Sequence, residues 1–230
     1  MPHLHDELTA AQETGPTRRT LVHAAAWSVP VIAAAIATPL AAASTPAFVC
    51  PNISDSSLWT VTSPVSGALG NGSNRWNTTL TPGVHLFQSE ADNRTQGWGA
   101  TYATSLTATA FEAVAGATYT FAFTVRAGYG NNQMSRSGPQ RVSVIVGGQT
   151  LWTGNTRASV PEFPGGVQLP IANNVANVTA QTYTVNFTAP TSGPTAFQYQ
   201  FVVPGAAISA NPAGANDDIW ISIPTTACTV

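Results

Sequence analysis

The chain has 230 residues, eight Lys plus Arg against ten Asp plus Glu, a formal net charge of −2, and only 8% charged residues. So sparse a charge excludes a nucleic-acid surface, which needs clustered Arg or Lys against phosphate. Hydrophobic residues make up 43%, which is enough for the core of one domain of ordinary size.

Residues 1–43 read as an export leader. The run from Leu21 to Ala43 carries no formal charge and is long enough to cross a bilayer as a helix. It is rich in alanine, is broken by Pro30 and Pro39, and closes on Ala41-Ala42-Ala43-Ser44, small residues of the kind that precede a cleavage point. Thr17-Arg18-Arg19, followed by Leu21-Val22, resembles the twin-arginine export signal, in which Ser or Thr precedes Arg-Arg and two apolar residues follow. The resemblance implies that residues 1–43 are a signal peptide with an N-terminal signal helix, cleaved after Ala43, and that the protein meets the membrane only through this leader during export. An uncleaved anchor and a first helix of the folded domain are the alternatives. All eight basic residues are arginine, a GC-rich coding habit. The leader as a whole resembles those of secreted surface proteins of GC-rich Gram-positive bacteria. Phe48-Val49 stand before Cys50, where lipid attachment would need small residues.

Residues 44–230 then read as a single β-sandwich domain. Cys50 and Cys228 are the two cysteines. An even count in an exported chain reads as a disulfide, which would set the first and last strands side by side; two buried free thiols are the alternative. Weak strand patterns lie near Leu58 to Thr62, Trp76 to Leu80, Val84 to Ser89, Trp98 to Thr104 and Leu106 to Glu112. Clear alternation follows: Tyr119, Phe121, Phe123 and Val125 point one way in TYTFAFTVR, and the residues between them the other. Gly147-Gly148 joins two strands as a two-residue hairpin turn. Tyr183, Val185 and Phe187, then Phe197, Tyr199, Phe201 and Val203, then Ile219, Ile221 and Ile223 repeat the alternation. Some ten strands with one apolar face predict an all-β, two-layer antiparallel sandwich. Two long connections, 127–138 and 153–180, are predicted as loops, the second with room for a short edge strand.

Three aromatic residues stand out as ligand candidates. Trp98 lies between Gly97 and Gly99, where bare backbone allows close approach of a ligand. Tyr129 also lies between two glycines. Trp220 alternates with Ile219 and Ile221, so it faces away from the core, either to stack on a sugar ring or to pack beneath a loop. No catalytic set emerges. Among the acids Asp55, Glu90, Asp92, Glu112, Glu162, Asp217 and Asp218, only Glu90 and Asp92 would share a face, if their segment is extended, and they precede a turn-like NRTQG where a glycosidase needs two carboxylates across a cleft. His85 is the one histidine after the leader, and there is no nucleophile elbow for a serine triad.

The order of segments FEAVAGATYTFAFTV, RVSVIVGGQTLW, TYTVNFTAPTSGPTAFQYQFVVP and NDDIWISIP, over roughly residues 111–224, resembles the galactose-binding-like jelly rolls, and most of all the family 4/9 type of carbohydrate-binding module. The usual opening strand of that family is not recognisable here. The resemblance implies a jelly-roll sandwich, a polysaccharide or cell-envelope partner, and a structural calcium at the aspartates opening the closing strand, Asp217 and Asp218. Asp55 would join them if the termini are adjacent; calcium needs several hard oxygens. The function expected is a secreted or cell-surface, non-catalytic, glycan-binding domain. A structural or adhesive protein without a small-ligand site is the alternative, and a secreted hydrolase is the third reading.

Overall fold

Alternating side chains build this domain, and the alternation is carried through by burial. In the computed structural model, residues 48–70, 72–77, 85–93, 102–129, 137–157, 163–205 and 215–230 are described; the predicted leader, with Arg18, Arg19 and Ala43, lies outside them. Among the described residues the strands are β1 (Thr60–Ser66), β2 (Asn74–Asn77), β3 (Leu86–Ser89), β4 (Tyr102–Ala113), β5 (Thr118–Gly128), β6 (Arg141–Val146), β7 (Gln149–Asn155), β8 (Val167–Gln168), β9 (Ile171–Ala172), β10 (Gln181–Thr188), β11 (Gly193–Pro204), β12 (Asp218–Ser222) and β13 (Thr225–Thr229). They form two sheets, one ordered β1-β4-β11-β6-β7-β8 and the other β10-β5-β12-β3-β2, with β13 and β9 also on β5. Nearly all pairings are antiparallel; β7 with β8 and β5 with β9 are parallel. The sandwich forecast is the fold observed.

Tyr119, Phe121, Phe123 and Val125 are buried on β5, as are Phe197, Tyr199 and Phe201 on β11. The two inner faces meet ring to ring: Phe121 lies 4.8 Å from Phe197, and Phe87 lies 5.1 Å from Phe201. Edge-to-face and offset pairs of this kind add to simple area burial.

Several details depart from the sequence reading. One continuous β4 replaces two predicted strands. Its core side carries Ala103, Ser105, Thr107 and Thr109 before Phe111 and Ala113, so its first two-thirds have little apolar signal. Ser105 and Thr107 are buried because partners reach them from the other sheet: Asn74 Nδ2 donates to Ser105 Oγ (2.6 Å), and Trp76 Nε1 donates to Thr107 Oγ1 (3.2 Å). The 153–180 connection holds β8, β9 and a 3-10 turn at Val175–Asn177. The chain ends in β13, whose sequence TTACT carries no apolar stripe. Cys50 and Cys228 do form a disulfide, but not by pairing the first and last strands. β1 belongs to one sheet and β13 to the other. The segment ahead of β1 makes the link.

Gly147 and Gly148 form the predicted turn, with φ of 56° and 79°. Both angles are left-handed, where a Cβ is penalised. At Gly147 a Cβ would also stand 2.9 Å from the Phe187 ring. Gly147→Ala is therefore expected to destabilise the domain by about 1–3 kcal/mol, read as a shift of the urea midpoint at unchanged slope; an unshifted midpoint would refute the turn.

Candidate functional site

The outward face of the six-stranded sheet follows from the same alternation. With Phe197, Tyr199, Phe201 and Val203 turned inward, Gln198, Gln200 and Val202 face out, all half-buried. The register sets Thr62, Leu106, Gln200, Ser143 and Thr153 in one row across β1, β4, β11, β6 and β7. A parallel row runs Thr60, Ala108, Gln198, Ile145 and Thr150. At about 4.8 Å per strand, each row is roughly 19 Å long. Ser143 Oγ and Thr153 Oγ1 lie 3.4 Å apart. The rows carry hydroxyls, amides and short apolar groups, and no charge.

One end of this face has a wall. Phe163 is buried between Tyr102, with ring centroids 6.2 Å apart, and the Arg141 guanidinium, 4.8 Å above its ring. Arg141 Nε donates to Asn155 Oδ1 at 2.9 Å and Nη2 donates to Pro164 O at 2.9 Å. Partial burial draws this guanidinium's pKa below its ordinary value, and these acceptors and the aromatic face hold it in place. Tyr102 remains 40% exposed, a large ring standing at the edge of an uncharged polar floor. Tyr102, Gln198, Gln200 and Arg141 were not singled out as site residues from the sequence. The sign that could have found the glutamines is FQYQF itself, with amides at alternate positions opposite a core stripe.

Around the strand ends on the same side lies a buried polar layer. Asn216 donates its backbone N–H to Asp92 Oδ1 (2.8 Å), and its Oδ1 accepts from the Asn93 N–H (2.8 Å). Asn93 Nδ2 reaches Val203 O (3.0 Å) and Asn216 Nδ2 reaches Pro204 O (3.1 Å). These groups are buried and satisfy one another, as buried polar groups must.

The residues predicted from the sequence fare unequally. Trp98 lies outside the described residues. Tyr129 is half-buried and donates its backbone N–H to Ala172 O at 3.2 Å. Trp220 does face away from Ile219 and Ile221, but only 6% of it is exposed. It packs with Leu86 and with Val175 of the 3-10 turn, and its indole N–H donates to Glu90 Oε1 at 2.8 Å. It is not a stacking platform for a ligand, because the 153–180 connection covers it.

The three aspartates do not converge. Asp55 is an exposed cap of the turn at Ser56–Leu58, where the Ser57 amide donates to Oδ1 at 2.8 Å. That amide, then the Ser57 hydroxyl, hold its carboxyl below the usual range. It lies near His85, whose carbonyl accepts from the Ile223 N–H just past the end of β12. Asp218 opens β12 and Asp217 immediately precedes it, roughly 17–20 Å from Ile223 along the strand. Asp217 is fully buried and bound to Arg157: Nε donates to Oδ2 at 2.8 Å and Nη2 donates to Oδ1 at 3.0 Å. Ser137 Oγ also donates to Oδ1. Among the described residues no group of three or more His, Cys, Asp or Glu is arranged to hold a metal. The predicted calcium ligands therefore do not fit a calcium ion, since two stand at opposite strand ends and one is occupied by a guanidinium.

His85 Nδ1 lies 3.0 Å from Ser56 Oγ, beside a groove of about 340 Å³ lined by Thr124, Ser222 and Thr225. The neighbouring Asp55 Oδ1 accepts from the Ser57 amide, and among the described residues no hydrogen bond between a carboxylate and the His85 ring is seen that would orient it as in a triad.

No protein-family model matches the chain, and neither does any curated protein. Solved structures do. A structure described as "CBM4 structure and function" matches with TM-score 0.34 and 12% identity, over 74% of this chain and 86% of that one. The mannan-recognising carbohydrate-binding module TmCBM27 matches with TM-score 0.41 and 11% identity, over 77% of this chain and 96% of that one. The enzymatically active domain of tailspike protein 4 from Bacteriophage CBA120 matches with TM-score 0.37 and 13% identity, over 76% of this chain but 20% of that one.

Proposed function

We propose that this protein is a secreted or cell-surface, non-catalytic β-sandwich that binds neutral glycan or cell-envelope polysaccharide across the open face of the six-stranded sheet. The observation that carries the reading is the pair of uncharged rows bearing Gln198, Gln200 and Thr153, with the exposed Tyr102 ring on the same face of β4, about 13 Å along the strand from Leu106. A saccharide offers this face what it is built to accept: hydroxyls for amides and hydroxyls to meet, and an apolar ring face for the tyrosine. The twin-arginine-like leader and the disulfide support an extracellular setting.

The test is retention of material harvested from culture fluid, with its N-terminus expected at Ser44, on a glycan array and on insoluble polysaccharides. Tyr102→Ala and Gln200→Ala are each expected to weaken retention by roughly tenfold or more, the loss of one good contact, while melting as the wild type does. Retention unchanged in both variants would overturn the placement, and no retention on any glycan would overturn the reading.

The outer face of the other sheet favours a second reading, an adhesive surface protein without a small-ligand site. There Thr118 and Thr188 hydroxyls lie 3.0 Å apart, and Thr120 Oγ1 donates to Asn186 Oδ1 at 2.8 Å. This neutral, self-satisfied surface suits contact with another macromolecule. That reading predicts partner binding that survives Tyr102→Ala.

A further inference from the structure

The resemblance implies a calcium ion at the opening of β12, and the residues there do not fit one. What stands in its place is a guanidinium. Arg157 belongs to the connection after β7, Asp217 to the connection before β12, and Ser137 to the connection before β6. The Asp217 carboxylate receives two N–H groups of Arg157 and the Ser137 hydroxyl. Arg157 Nη2 also donates to Ser137 Oγ at 2.9 Å. Three chain segments, 60 and 80 residues apart in sequence from Asp217, thus meet at one carboxylate.

The backbone around this knot is tied in the same place. Gly138 N–H donates to Ala215 O at 2.7 Å and Asp217 N–H donates to Gly138 O at 2.7 Å, an isolated parallel bridge between Gly138 and Asn216. Asn216 in turn holds Asp92 and Asn93 at the start of the connection into β4. Four segments that leave the sandwich at this end are anchored on residues 215–217. A divalent cation in such a place would gather carboxylate and carbonyl oxygens from separate segments and neutralise the buried negative charge. Arg157 meets both needs with a fixed, permanently charged fork, whose geometry matches a carboxylate.

We propose that Arg157 is a built-in replacement for the cation, so that this end of the sandwich is assembled without metal and is indifferent to calcium and to chelators. The proposal is independent of what the sheet face binds. Its test is thermal unfolding and amide hydrogen exchange of the full chain, first in EDTA and then in millimolar calcium, on the wild type and on Arg157→Gln. The wild-type midpoint is expected to be the same in both solutions. Arg157→Gln leaves a buried carboxylate without its counter-charge and is expected to lower the midpoint by roughly 10 °C. The amides of Gly138 and Asp217 are expected to exchange on the order of 100-fold faster, while those of central β5 and β11 stay protected. A wild-type midpoint that climbs about 5 °C or more with calcium overturns the proposal, as do Arg157→Gln amides protected as in the wild type. Should Arg157→Gln not fold, Arg157→Lys keeps the charge and loses the fork; an unchanged midpoint and unchanged exchange in that variant would also overturn it.

Discussion

Replacing Trp59 by alanine is expected to cost the domain about 5 kcal/mol, the upper end for emptying a large aromatic site. Trp59 is 6% exposed. Its ring stacks on Tyr199 with centroids 5.4 Å apart and planes 12° apart, and meets the edges of Trp76 at 5.2 Å and Phe197 at 5.6 Å. Its indole N–H donates to Ile53 O at 2.9 Å. Removing it therefore opens a void between the sheets, strips three aromatic partners of contact, and leaves a buried carbonyl without its donor. For a domain of this size the midpoint of thermal unfolding should fall by roughly 10–20 °C. Trp59→Phe keeps a ring and loses the donor, so it should cost less, about 2 kcal/mol. Urea unfolding followed by tyrosine and residual tryptophan emission reads both. A loss below about 1 kcal/mol in Trp59→Ala would mean that this ring does not sit at the centre of the core.

The second large effect belongs to the disulfide. Cys50 and Cys228 are separated by 178 residues, so the link closes a loop that includes nearly the whole described domain. On the chain-entropy relation, a loop of that length destabilises the unfolded state by about 5 kcal/mol. The double variant Cys50→Ser/Cys228→Ser, or the wild type in reductant, is expected to lose stability on that scale and to unfold at lower urea, with a steeper slope because the unlinked chain exposes more surface. The folded state should keep its far-ultraviolet β signature at low denaturant, since the sheets are closed by the aromatic core and not by the link. An oxidised and a reduced wild type with one common midpoint would show that the link constrains nothing. Free thiols in material harvested from culture fluid would remove it from the account altogether.

Much of this architecture was legible in the residues. The stripes on β5, β10, β11 and β12 were readable because each such strand places its large apolar side chains two apart, and period two survives any sheet arrangement. The Gly147-Gly148 turn was readable because its backbone angles tolerate little else. Trp59 and Trp76 were not recognisable as the hub of the core, since neither belongs to an alternating apolar stripe: Leu-Trp-Thr in one case, Arg-Trp-Asn in the other. β4 was divided in two because its inward residues in the middle are serine and threonine, whose hydroxyls are met by Asn74 and Trp76 arriving from the opposite sheet. β13 was missed for a similar reason: a threonine-rich edge has no inward stripe to betray it.

The candidate site divides along the same line. Local alternation was sufficient to say that Trp220 turns away from Ile219 and Ile221, but a single strand holds no information about what lies over its outer face. Only the folded chain brings Val175 over the indole and Glu90 to its N–H. Likewise, Asp217-Asp218 was visible as an acidic pair, but not the guanidinium that takes up Asp217, because Arg157 is sixty residues away in sequence. What the residues determined alone was the all-β class, the buried side of the strongly alternating strands and the Gly147-Gly148 turn. Those follow from interactions between near neighbours along the chain. Which outward side chains stay open, and which acid is already paired, was decided in the tertiary structure, where segments distant in sequence compete to cover the same surface.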